Sequence, residues 1–300
     1  MGTTSHWFED FEARRFETEG ASIYARFGGN AAGPTLVLLH GFPEMHVMWH
    51  RVAQALRDRF FIVAPDLRGY GDSSKPDGGA DHSNYSKRTM ANDVVGVVDA
   101  LGRDSFFLCG HDRGGRVAHR LALDHGARVD KLCVIDIAPT LDMYDATDQA
   151  FATAYYHWFH LIQPSPVPEF MIGGNARAYL HAALGGLGSR GLDHVEPQAL
   201  AEYERCFTPE TIHGTCEDYR ASAGIDLQHD RESRARAEVI RCDMHVLWGA
   251  RGVVNKFFQP LELWRAQCAG TVTGDVVPAG HFIPEELPQQ TADTLAHFFT

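Results

Sequence analysis

The chain has 300 residues, 44% of them hydrophobic, and a formal net charge of −12 from 39 acidic and 27 basic side chains. That balance argues against nucleic acid or an anionic membrane as a partner, and no window approaches the ~18 apolar residues of a membrane span. The first ten residues lack an apolar secretory core, so a cytoplasmic location is expected. Six cysteines without a C-x-x-C pair read as reduced packing residues, not as a disulfide framework or zinc site.

In chain order, 11–18 and 21–27 alternate around Glu19-Gly20 like an antiparallel hairpin at a sheet edge. Strand-like apolar runs follow at 35–39, 60–64, 105–109, 132–137, 244–248 and 271–277. Helical patterns at 47–56, 89–101, 117–123, 260–267 and 288–298 lie between and after them. This is the rhythm of an α/β, mostly parallel, doubly wound sheet. It fails between Pro139 and Glu238, where helix formers and aromatics are broken by Pro164-Ser-Pro-Val-Pro168 and Gly185-Gly-Leu-Gly188. The expected division is a core of residues 1–138 and 239–300, with a helical cap, 139–238, inserted after the sixth strand.

Chemistry concentrates in Gly110-His111-Asp112-Arg113-Gly114, a strand-to-helix turn of the G-x-S-x-G kind with a carboxylate in place of serine. A carboxylate at that apex attacks carbon, and the resulting ester must be cleaved by water at the carbonyl of Asp112 itself. The expected chemistry is therefore hydrolysis of a carbon–halogen bond or an epoxide. A base for that water is expected at His281, after the last predicted strand and late in the chain, where ligands gather at strand C-termini. The acid that orients it can follow either of two strands. No acid stands in 249–256, whereas Asp136 ends an apolar strand, where a buried carboxylate needs a partner or else caps the turn. His40-Gly41-Phe42-Pro43 follows the 35–39 strand. Either it is a plain turn or the N–H of Phe42 forms an oxyanion hole with the N–H of Arg113.

With these motifs, and with Asp66-Leu-Arg-Gly69-Tyr-Gly71-Asp-Ser, the chain resembles the α/β-hydrolase superfamily and, within it, the fluoroacetate dehalogenases, over essentially its whole length. The resemblance implies an α/β-hydrolase fold and dehalogenation of a haloacetate without metal or cofactor. It also implies the catalytic trio Asp112, Asp136 and His281, substrate-carboxylate binding by Arg113 and Arg116, a halide pocket of His157, Trp158 and Tyr219, and a homodimer. Only Gly115, where Ala is expected, looks atypical.

The residue types suit those roles. Arg113 and Arg116 stand three apart at a helix start and can share a face beside Asp112, although two arginines could also be a solvated helix face. Imidazole, indole and phenol donors suit a departing fluoride, although cap aromatics more often only bury. An epoxide hydrolase is the nearest rival, with Tyr155 or Tyr156 and Tyr219 as proton donors, but a neutral epoxide has no use for two guanidinium groups. A haloalkane dehalogenase is weaker for the same reason. A non-catalytic binding protein would not need the trio intact.

Overall fold

The computed structural model describes residues 7–300, so the N-terminal reading rests mainly on positions 1–6, outside the described residues. Eight strands form one sheet: β1 (Glu12–Thr18), β2 (Ala21–Gly29), β3 (Thr35–Leu39), β4 (Phe61–Pro65), β5 (Phe106–His111), β6 (Val129–Ile135), β7 (Asp243–Gly249) and β8 (Val272–Val277). Their order is β1-β2-β4-β3-β5-β6-β7-β8. The β1–β2 and β2–β4 pairs are antiparallel, and every pair from β4 onward is parallel. All five residues of β3 are buried, as a strand covered on both faces requires, whereas β2 alternates buried and half-buried positions near the sheet edge. Gly20, at φ +75°, makes the hairpin turn between β1 and β2.

Helices start where side chains can satisfy free N–H groups. Ser86 accepts from Thr89 at the head of α1 (Lys87–Ala100). The expected helix at 117–123 begins earlier, at Asp112 itself, and runs to Asp124 as α2. Its two glycines do not break it, because they serve packing. A Cβ on Gly114 would lie 2.5 Å from the His40 carbonyl oxygen, so the glycine lets α2 press onto the sheet. The 47–56 pattern divides into a 3-10 turn, His46–Trp49, and a helix, His50–Leu56. The strand expected at 132–137 starts at Val129 and stops at Ile135, leaving Asp136 on the turn.

Eight helices between Thr140 and Ala235 separate β6 from β7. Two matter most: α3 (Tyr156–Leu161), and α4 (Pro209–Ala223), capped by Thr208 with proline at its first position. This helical insert lies over the segments that follow β3 and β4, where Phe42 stacks on His157 and Tyr70 bonds Asp218. Among the described residues, no helix is long and apolar enough to cross a membrane.

Candidate active site

Asp112 and Asp136 both sit just past parallel strands, and both hold a left-handed backbone, at φ +43° and +50°. Such conformations cost about 1–3 kcal/mol each in a non-glycine residue and concentrate at functional turns. The strain aims the two carboxylates at one place. Asp136 accepts from Gly249 N–H at 3.0 Å with one oxygen and meets His281 Nδ1 at 2.6 Å with the other. The carboxylate can only accept, so Nδ1 carries a proton and the second nitrogen of His281 keeps its lone pair while the ring is neutral. Burial opposes a charged imidazole here, but the Asp136 hydrogen bond and charge, with Asp112 behind, hold the His281 pKa above its ordinary value.

Asp112 is buried, which pushes its pKa up, yet His281, Arg116 and Arg113 pull it down to about 2, so it is ionised throughout the neutral range. Phe42 N–H donates to its Oδ2 at 3.0 Å. That oxygen is where negative charge would gather if water attacked an ester at Asp112, so the expected donor faces the enzyme's own carbonyl. The N–H of Arg113 is in the first turn of α2, where no helical acceptor exists. Gly41 makes the approach possible, since a Cβ there would stand 2.7 Å from Asp112 Cβ.

The helical insert closes the site. The His157 ring is 5.9 Å from Tyr219, and Phe42 contacts both. Burial lowers the His157 pKa to about 3, which keeps the ring neutral with one N–H to offer. Trp158 Nε1 and Tyr219 Oη are buried and have no partner among the described residues, two donors left open. Burial and the nearby Asp112 raise the Tyr219 pKa well above normal, so the phenol keeps its proton. The two guanidinium groups stack on these aromatics, Arg113 at 4.1 Å from the Tyr219 centroid and Arg116 at 4.6 Å from that of Trp158. Of the alternative tyrosines, Tyr155 is buried 4.8 Å from His157, whereas Tyr156 is 54% exposed.

Sequence reasoning missed several buried groups. Asp218 bonds Arg113 through Nε at 2.9 Å and Nη2 at 2.7 Å, and also contacts Lys87 and Tyr70. Its adjacency to Tyr219 was the one available signal. His111 Nε2 donates to the His281 carbonyl at 2.9 Å, and its Nδ1 is 3.1 Å from Glu44 Oε2. Burial pushes the Glu44 pKa up to about 8, so it carries a proton opposite that imidazole. Glu285, raised by burial and by Glu44, accepts from Tyr203 of the insert at 2.9 Å. Glu44 follows the His40–Pro43 turn directly and could have been flagged there.

The loop carrying His281 is also pinned from the insert. Gly280 N–H donates to Glu286 at 2.9 Å, Ser189 and Arg251 bond the same carboxylate, and Arg251 holds the Gly188 carbonyl. A Cβ on Gly280 would fall 2.5 Å from the Gly188 carbonyl carbon.

A strained carboxylate elbow, an acid-supported histidine and a donor-lined pocket on this sheet define a hydrolase site. The alpha/beta hydrolase fold family matches residues 34–173. A fluoroacetate dehalogenase of Burkholderia sp is 41% identical over 98% of this chain and 95% of its own. A soluble epoxide hydrolase of Corynebacterium sp. (strain C12) is 35% identical over 89% and 91%. The crystal structure of an alpha/beta hydrolase candidate from Nostoc sp PCC 7120 superposes with a TM-score of 0.94 at 50% identity, covering 98% of this chain and 99% of the other. The chain belongs to the alpha/beta hydrolase family.

Proposed function

We propose that this hydrolase removes halide from a small 2-haloacid, turning fluoroacetate and water into glycolate and fluoride. Arg116 carries the reading. It is a buried guanidinium beside the ionised Asp112 and, among the described residues, makes no ion pair with any carboxylate. A buried, unpaired cation costs several kcal/mol, and a substrate carboxylate is the natural partner. Asp112 attacks the α-carbon, the carbon–fluorine bond breaks, and the electron pair leaves as fluoride toward the open donors of Trp158 and Tyr219 and the neutral His157. His281 then takes a proton from water, whose oxygen adds to the Asp112 carbonyl while Phe42 N–H steadies the oxyanion. On collapse His281 returns its proton to the departing alkoxide oxygen, glycolate leaves, and the remaining Asp112 carboxyl loses its proton to solvent, which restores the carboxylate.

The 41% identical fluoroacetate dehalogenase supports this substrate class. The 35% identical epoxide hydrolase, with Tyr155 and Tyr219 both buried, supports the second reading. Halide release from fluoroacetate, run beside diol formation from an epoxide, separates them. A single turnover in heavy-oxygen water should leave the label in Asp112. Label in glycolate on the first turnover rules out the ester route.

A further inference from the structure

Arg113 and Arg116 differ in what the protein leaves free. The Nε–Nη2 edge of Arg113 is spent: Asp218 takes both nitrogens, and the Asp218 carbonyl and Ser222 hydroxyl accept further bonds from Nη2. Asp218 is fully buried and held in turn by Tyr70 Oη at 2.6 Å and by Lys87, whose Nζ also lies 3.6 Å from Asp226. Two cations and two acids leave that cluster with no net charge. Of the three Arg113 guanidinium nitrogens, only Nη1 makes no hydrogen bond among the described residues.

Arg116 is arranged the other way round. Its Nη1 is used by Thr140 Oγ1 at 2.8 Å and the Ala138 carbonyl at 3.3 Å. Among the described residues its buried Nε has no partner, and Nη2 reaches only the Met143 sulfur, a weak acceptor, at 3.4 Å. The open edge is the Nε–Nη2 fork, the geometry that grips a carboxylate with two parallel bonds.

We infer that the carboxylate subsite is asymmetric. Arg116 supplies the two-toothed grip and a charge that, among the described residues, no carboxylate bonds directly. Arg113 supplies one N–H, and Asp218, backed by Lys87 and Tyr70, is a positioning residue that turns Arg113 so that Nη1 alone faces the substrate. The inference rests on the haloacid reading, and it refines the expectation that both arginines clamp alike.

Acetate binding, measured by calorimetry, tests this without chemistry, while haloacetate turnover by the unmodified protein tests the reading beneath it. If the protein binds acetate but turns over no haloacetate, the substrate assignment fails and the asymmetry stands. Arg116→Lys keeps a charge and loses the fork, so acetate affinity should fall about tenfold to about a hundredfold, the worth of a charge-assisted hydrogen bond. Arg113→Lys should cost clearly less. Asp218→Asn alone strands two buried cations and threatens folding, so Asp218→Asn with Lys87→Met keeps the cluster neutral. Because it acts through Arg113, that double variant should weaken acetate about threefold to fivefold, no more than Arg113→Lys does, and raise KM for haloacetate by a similar factor with little change in kcat. If it lowers thermal stability but leaves acetate affinity and KM unchanged, Asp218 is structural only and the inference falls. Arg113→Lys costing as much affinity as Arg116→Lys overturns it as well.

Discussion

The two walls of the site are built on opposite terms. On the sheet side every reacting group is already engaged: Asp136 on His281 and Gly249, Phe42 on Asp112, His111 on the His281 carbonyl. On the insert side Trp158 Nε1 and Tyr219 Oη are buried and, among the described residues, unpartnered. A satisfied wall fixes geometry before substrate arrives. An unsatisfied one stores desolvated donors, which an arriving anion repays. Under the proposed function, covalent chemistry falls to the sheet and charge stabilisation to the insert, so damage to each wall should fail differently.

The largest effect should come from the sheet side. His281→Asn should lower turnover by about 10²–10⁴-fold while leaving Asp112 able to react. Intact-protein mass spectrometry after haloacetate exposure should find the ester accumulated, and an unmodified variant that binds substrate would refute the role. Acid should mimic this lesion. Asp112, with a pKa near 2, stays ionised at pH 5, whereas His281, its pKa raised by Asp136, loses its basic lone pair as pH falls through that value. Below it, glycolate formation should drop about tenfold per pH unit while a one-equivalent halide burst persists. A burst that fades in parallel would place the first step under the same control.

Damage to the insert wall should depend on the leaving group. Trp158→Phe or Tyr219→Phe should slow fluoroacetate far more than bromoacetate, about tenfold for each ~1.4 kcal/mol of lost stabilisation. Equal losses would reduce these residues to cavity shape. The smallest effect concerns stability. Glu44 has a folded pKa near 8 against 4.5 for its ordinary value, so the stability that its proton contributes is fully present below the ordinary value and is lost as pH rises from there through 8. The melting temperature of the unmodified protein should sag toward alkaline pH, and Glu44→Gln should flatten that slope. An unchanged slope would assign the sag elsewhere.

The sheet side was largely legible in the sequence, because its groups follow strands. Asp136, an acid closing an apolar run, and His281, beyond the last strand, are placed by topology alone. The 117–123 pattern leaves out the first turn of α2, because Gly114 and Gly115 carry no apolar side chain to mark it, and their role shows only once the sheet pressed against them is seen. The insert side was legible only by resemblance. Nothing in the local pattern says that Asp218, 105 positions from Arg113, takes one edge of its guanidinium, since helices without a sheet register give no rule for which faces meet. The Glu44–Glu285 pair was hidden for a related reason: two acids far apart in sequence look solvated until the chain buries both.

The stitching of Gly188, Ser189 and Tyr203 to the loop around His281 bears on how modular this chain is. A core spliced short by removing residues 139–238 would lose the backbone that backs Gly280 and the phenol that meets Glu285, and its histidine would be held only from the sheet side, by Asp136 and His111. Transplanting a foreign insert meets the same demand. Whatever is grafted must bring a glycine able to lie against Gly280, a hydroxyl for Glu286 and a donor for Glu285, so inserts are exchangeable only together with those contacts.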